Sequence, residues 1–411
     1  MTVLAAVNLA ILGFLLALLR HAEPGTVGYH FYLVDLAVYR YGGQFWLSGA
    51  DLYGPFPWEP GYGPLPFTYP PFAAIVFSPL ALVPFWLAAE IITVGSLGLL
   101  VVVVAFVLRA DRVRLSGLRL SLALLLVVPA SLLLEPVREN LYFGQINIIL
   151  MTLVAVDCLA SPDRWYGRRC RGLLVGVAAA IKLTPAVFVL FLLLDRRDRW
   201  ATPRAVAAFL AAAGLGFLFA PGDSIDFWTR VLGHTARIGA TPYADNQSLM
   251  GALARFGLIP PTRTELWLAL AVLAIAVAAL AAWRALAAGR TSLALGAIAV
   301  AGLLISPESW SHHWVWAAPL LVSLGIIAVR ERSWWAAVLT AIGVLVFVCT
   351  PLWLLPNGGG RELSWTPWQH LFGNVFTWFG ILLLVAVAVL AHRAHGSAHR
   401  DPPGQLAEVT R

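Results

Sequence analysis

The chain has 411 residues, of which 60% are hydrophobic and 12% charged, with a mean hydropathy of +0.80. So few charges cannot cover that much apolar surface in water, which excludes a soluble enzyme and leaves an integral membrane protein. The net charge of +7 comes from arginines gathered in short loops, which reports orientation rather than affinity for nucleic acid, and three scattered cysteines give neither a disulfide framework nor a zinc site.

In chain order, the first apolar run is Thr2 to Leu19. It has no basic n-region and no small-residue cleavage site, so it reads as a retained first helix. Runs such as Val83 to Leu108 and Trp334 to Leu355 are continuous rather than alternating, the pattern of spanning helices rather than of barrel strands. Between the first two runs lies a long loop, residues 20–71, rich in Gly, Pro and aromatics. It is too apolar for a free linker and is expected along the membrane surface, with helical pieces around Asp35 to Leu47. Arginine clusters at 109–119, 164–171 and 196–199, followed by Arg284, Arg290, Arg330, Arg332 and Arg393, mark the cytoplasmic side. Residues 172–194 are apolar yet bounded by basic clusters at both ends, so they read as a re-entrant pair turning at Lys182-Leu183-Thr184-Pro185, where Pro185 breaks the helix. The expected architecture is an all-α polytopic membrane bundle of about twelve transmembrane or re-entrant helices with a large first outer loop and both termini cytoplasmic. One membrane domain covers 1–392, and a polar tail, 393–411, reads as disordered.

The opposite side collects the polar groups: Asp35, Tyr69, Arg138, Gln145, Asn147, Asn246, Gln247, Glu308, His312 and His313. Taken singly, each has a plain structural reading. Asp35 can cap the helix that follows it, Gln145 and Asn147 can cap a helix starting near Ile146, and Asn246-Gln247-Ser248 can form a cap or a turn. The two histidines sit in an aromatic belt with Trp310, Trp314 and Trp316. Neighbouring side chains on a helix diverge by about 100°, so only one of the two is expected to face a common cavity. Lys182 is the single lysine of the chain, and its apolar setting costs on the order of 3 kcal/mol unless it is paired or reaches a polar cavity. It reads as a cation facing such a cavity.

Six strings in order, DLAVY with Leu52-Tyr53 (Asp35 to Tyr53), F.YPPF (Phe67 to Phe72), GQIN (Gly144 to Asn147), KLTP (Lys182 to Pro185), NQS (Asn246 to Ser248) and P.SW.HHW (Pro307 to Trp314), resemble glycosyltransferase family 87 of the GT-C superfamily, the actinobacterial polyprenyl-phosphate-mannose-dependent α-mannosyltransferases. The resemblance implies a plasma-membrane hexosyltransferase that works on the outer face. It would move mannose from polyprenyl-phosphate-mannose to a phosphatidylinositol-mannoside type glycolipid or lipoglycan, probing no nucleic acid. It also implies that Asp35, the acid of the first outer loop, is the general base.

One carboxylate suffices for inversion from a β-linked donor to an α-mannoside. Lys182, Arg138, His312 and His313 are the candidates for stabilising the departing phosphate, and Tyr39, Tyr69, Gln145, Asn147, Asn246, Gln247 and Glu308 for holding substrate. Many GT-C enzymes carry paired acids in this loop, whereas Val34 and Leu36 flank a lone Asp35 here, so no metal or other cofactor is expected. An arabinofuranosyltransferase using decaprenyl-phosphoarabinose shares the motifs. A flippase for lipid-linked sugar is the alternative of another class, but it should concentrate polar groups near the midplane between repeats.

Overall fold

The computed structural model describes residues 32–54, 65–113, 117–161, 164–234 and 239–391. The run Thr2 to Leu19 and the polar tail lie outside them. Among the described residues every regular element is helical, apart from a single antiparallel bridge between Asn246 and Trp310. Helices α1 (Val34–Ser48), α2 (Pro71–Ala81), α3 (Phe85–Ala110), α4 (Leu118–Ser131), α5 (Glu135–Phe143), α6 (Asn147–Leu159), α7 (Leu173–Ile181), α8 (Phe188–Leu194) and α9 (Ala201–Phe219) make the first part of the bundle. They are followed by α10 (Leu249–Arg255), α11 (Thr262–Ala287), α12 (Thr291–Ile305), α13 (Ala317–Arg330), α14 (Trp334–Cys349) and α15 (Val375–Leu390).

Five helices among the described residues are long and apolar enough to cross a membrane: Phe85–Ala110, Ala201–Phe219, Thr262–Ala287, Ser311–Arg330 and Trp334–Leu354. Two further spans are reached if each bent pair, α4 with α5 (76°) and Pro367–Gly373 with α15 (70°), counts as one. The expected count of about twelve is therefore not met by helices of spanning length. The remaining apolar helices, such as α2, α6 and α12, have 10–17 residues, and at 1.5 Å per residue the shortest of them cover roughly half a bilayer core. The chain is a multi-pass helical membrane protein. At its centre α12 is buried along almost its whole length, which is why its sequence is apolar all round rather than on one face.

The segment 172–194 folds as a hairpin of short helices. α7 ends at Lys182, whose backbone is extended (φ −145°, ψ 129°), and a 3₁₀ turn over Thr184–Val187 leads into α8. The two ends of the segment meet, since Arg171 Nη2 and Asp195 Oδ2 lie 2.5 Å apart, both nearly fully buried. Lys182 is thus carried away from the arginine-rich end, towards the opposite end of the bundle.

Three local features bring the other motifs to that end. The backbone N–H of Leu33 donates to Tyr142 O at 2.8 Å, fastening the start of α1 to the end of α5. Gly144 ends α5 at φ 68°, and a Cβ there would lie 2.9 Å from Leu36 Cβ, so only glycine allows both the turn and the approach of α1. The 3₁₀ turn Ser311–Trp316 packs against α5, setting SWSHHW beside GQIN.

Candidate active site

These elements enclose a cavity of about 520 Å³, lined among others by Asp35, Tyr69, Gln145, Lys182, Tyr243, Asp245, Glu308, Trp310, His312 and His313. It is built from residues separated by up to 278 positions in sequence, and each arrives by a traceable local route.

Asp35 sits in the first turn of α1, but the N-cap position is Leu33 and Asp35 makes no capping bond. The capping reading is thereby removed, and the carboxyl group faces the cavity. Gln145 hydrogen-bonds to Asp35. The Gln145 amide is itself oriented from behind, because Tyr39 O–H donates to its Oε1 at 2.7 Å. Tyr39 and Tyr69 hydroxyls are 3.2 Å apart, and Tyr53 O–H donates to the Tyr69 backbone carbonyl at 2.8 Å, so three tyrosines fix the wall around the acid. Burial pushes the Asp35 carboxyl up to about 6; the Gln145 hydrogen bond and the Lys182 charge hold it down, and the Asp245 charge adds to the rise.

Lys182 donates to Asn147 Oδ1 at 3.0 Å and lies 3.2 Å from His313 Nε2, which makes Nε2 the unprotonated ring nitrogen. Its ammonium also sits 5.7 Å from the centre of the Tyr69 ring. Among the described residues it forms no ion pair, so the charge is held by neutral acceptors and left facing the cavity. Asn147 is not a cap either: its amide N–H donates to His312 O at 3.2 Å, tying α6 to the histidine turn. Both histidines line the cavity, with rings 4.8 Å apart and perpendicular, contrary to the expectation that one would turn away. The expectation assumed a regular α-helix, whereas the segment is a 3₁₀ turn with a kink at Trp314. His313 faces Lys182, and His312 packs on Phe143 with neither ring nitrogen hydrogen-bonded within the described residues.

The other motif residues divide into lining and scaffold. Glu308 lines the cavity, but its oxygens accept from Thr241 O–H (3.0 Å) and Asn246 Nδ2 (2.7 Å), and burial pushes it up to about 7. Asn246 and Gln247 are fully buried and do not line the cavity. Gln247 spends its amide on the Ala244 and Gly373 carbonyls, each at 2.7 Å, and on Phe376 N–H at 3.2 Å. Ser248 is the N-cap of α10, accepting from Gly251 N–H at 3.0 Å. Tyr39 also stands behind the wall rather than in it. Arg138 lies outside the cavity, exposed, and donates to Leu133 O at 2.9 Å.

Two residues that the motifs do not single out complete the site. Asp245, just before NQS, lines the cavity, and burial raises its pKa against the pull of its Ser311 hydrogen bonds. Arg255 is buried at the end of α10, where it donates to Asn374 Oδ1 (2.8 and 2.6 Å), Tyr243 O (2.9 Å) and Asn246 O (2.9 Å), clamping the loop that carries Asp245. The sequence signal for Asp245 is only its adjacency to the motif, and Arg255 gives none. Among the described residues no three His, Cys, Asp or Glu side chains gather in a way that could hold a metal ion.

A multi-pass helical protein whose polar cavity gathers carboxylates, an amine and two imidazoles has the groups that a membrane-embedded group-transfer enzyme uses. The comparisons with known proteins define it further. The chain matches glycosyltransferase family 87 over residues 67–307 and belongs to that family. It is 42% identical over 393 residues to a polyprenol-phosphate-mannose-dependent α-(1-2)-phosphatidylinositol mannoside mannosyltransferase of Mycolicibacterium smegmatis, covering 90% of this chain and 88% of the relative. A protein of the same description from Mycobacterium tuberculosis is 42% identical over 370 residues, 87% of this chain and 85% of its own. An α-(1->3)-arabinofuranosyltransferase of Corynebacterium glutamicum is 29% identical over 225 residues, covering 53% and 50%. No solved structure gives a significant match.

Proposed function

We propose that this glycosyltransferase moves mannose from polyprenyl-phosphate-mannose to a phosphatidylinositol-mannoside type glycolipid, forming an α-(1-2) mannoside with inversion, at the outer face of the plasma membrane. The observation that carries the reading is the presence, in one cavity, of the half-buried Asp35 and the ammonium of Lys182, which has no carboxylate in ion-pair contact among the described residues. Asp35 is the base. A carboxylate whose pKa is near 6 is ionised at neutral pH yet more basic than a solvated aspartate, as removal of a hydroxyl proton requires.

In the step itself, the acceptor hydroxyl gives its proton to Asp35, and its oxygen forms the bond to the anomeric carbon. The bond from that carbon to the phosphate oxygen breaks, and its electron pair leaves with polyprenyl phosphate. Charge gathered on that oxygen is met by Lys182 and by His312 and His313, held in place by Asn147. Gln145, aligned by Tyr39, keeps the Asp35 carboxylate aimed. The identity over almost the full length to mannosyltransferases, against a partial match to the arabinosyltransferase, favours mannose. Arginine placement supports the outer face, because the cavity lies at the end of the 172–194 hairpin remote from Arg171 and Arg197. The test is transfer by the purified chain from polyprenyl-phosphomannose and from decaprenyl-phosphoarabinose to inositol-mannoside acceptors. Mannose transfer is expected; arabinose transfer alone replaces the donor, and transfer from neither overturns the reading.

A further inference from the structure

The cavity has two chemically distinct poles. At one, Lys182, His312 and His313 offer cationic or hydrogen-bond-donating groups. At the other, Tyr243, Asp245, Glu308 and Trp310 offer two carboxyls and two aromatic rings, the rings 6.2 Å apart and tilted by 58°. A phosphate is attracted to the first pole and repelled by the second. Sugar hydroxyls behave in the opposite way, since they donate to carboxylates while the apolar face of the ring packs on aromatic side chains.

Asp245 is built for such a partner. It is 7% exposed, accepts from Ser311 N–H at 2.8 Å through Oδ1, and forms no ion pair among the described residues. The Arg255 charge behind the loop favours its ionised form without bonding it, so its remaining acceptor capacity is open to a ligand that supplies donors. The surrounding framework is rigid. The Asn246–Trp310 bridge, Gln247 N–H to Ser309 O (2.8 Å) and Asn246 Oδ1 accepting from Ser309 N–H (3.0 Å) lock the Asp245 loop to the segment that carries Trp310, and Arg255 holds the loop from behind. Asp35 lines the same cavity and is within electrostatic reach of both poles, since its carboxyl feels the Lys182 and the Asp245 charge.

We infer that the Tyr243–Asp245–Trp310 wall is the subsite for the terminal sugar of the acceptor, in which Asp245 accepts hydrogen bonds from hydroxyls flanking the reacting one and Trp310 carries the sugar's apolar face. The inference rests on the transferase reading above and assigns to NQS and P.SW the task of framing this subsite. It is tested with the full chain in detergent, using a short-chain polyprenyl phosphomannose as donor and octyl α-mannoside as acceptor probe. Asp245→Asn and Trp310→Leu are each expected to raise the acceptor KM roughly tenfold or more, the scale of losing a hydrogen bond to a charged group or an aromatic platform. Donor KM stays at the wild-type value, and a thermal melt at the wild-type temperature reports a folded protein. Trp310→Leu keeps the backbone bridge, so it tests the wall even if Asp245→Asn fails to fold. A shift in donor KM with acceptor KM unchanged in Trp310→Leu, or activity of Asp245→Asn that returns on adding divalent cations, overturns the inference. Absence of transfer by the wild-type chain overturns the parent reading, and this one with it.

Discussion

The two ends of the 172–194 hairpin solve the same electrostatic problem in opposite ways. At one end Arg171 and Arg197 both hydrogen-bond Asp195, and Asp157 accepts from Gly172 N–H (2.7 Å), Val175 N–H (2.8 Å) and Tyr166 O–H (3.0 Å). At the other, Lys182, Asp35 and Asp245 line a cavity, and none has an ion-pair partner among the described residues. Removing charges from water costs several kcal/mol for each ion, so a fold tolerates them either by mutual pairing or by leaving them open to a ligand. The first end is a clasp, and the second is a site. Lysine and arginine are placed accordingly, with the forked, permanently charged guanidinium in the clasp and the compact ammonium facing the cavity.

Substitutions that remove one charge at each end should therefore separate activity from stability. The largest expected effect is that of Asp35→Asn, which keeps the shape and loses the base: transfer falls by roughly 10²–10⁴-fold with an unchanged unfolding temperature, measured by initial rates and a thermal melt. Lys182→Met removes the charge from the leaving-group pole and is expected to lower kcat by about 10²–10³-fold, since one preorganised donor to a developing anion has that worth. At the clasp, Asp195→Asn leaves Arg171 and Arg197 without their carboxylate. It should destabilise the fold by about 3–5 kcal/mol in a denaturant titration, while the protein that remains folded keeps wild-type KM values. The smallest effect is expected of Arg138→Ala, whose side chain is exposed and outside the cavity, with rates within about twofold of wild type and stability within about 0.5 kcal/mol. A loss of activity comparable to that of Lys182→Met would bring Arg138 into the site and blur the distinction between the ends.

The membrane class, the helical bundle and the hairpin at 172–194 are legible in the sequence because each follows from a property of a contiguous run: apolarity, length, or basic residues on both flanks. The gathering of Asp35, Gln145, Lys182, Glu308, His312 and His313 is legible as a set of motif residues. Their division of labour is not. Whether an amide in a motif meets substrate or satisfies backbone depends on tertiary partners, so Gln247 reads like Gln145 in sequence, yet it is spent on Ala244, Gly373 and Phe376. Arg255 and Asp245 are hidden for the same reason. Nothing in the sequence marks Arg255, and only the folded chain shows it inside, holding Asn374 and the loop of Asp245. The number of spanning helices is less legible, because short apolar stretches, such as those forming α6 and α12, read like spans in sequence but lack the length to cross a bilayer on their own.

The central claim is that Asp35, in its half-buried setting, takes the acceptor proton. The pH dependence of kcat/KM for the acceptor tests it most directly, because that parameter reports ionisation of the free enzyme. The folded pKa of Asp35 is raised to about 6, and only the ionised form acts as base. The rate should therefore rise about tenfold per pH unit below 6 and level off above it. A rate that stays flat from pH 5 to pH 7, or an acid limb unchanged in the residual activity of Asp35→Asn, would contradict the assignment.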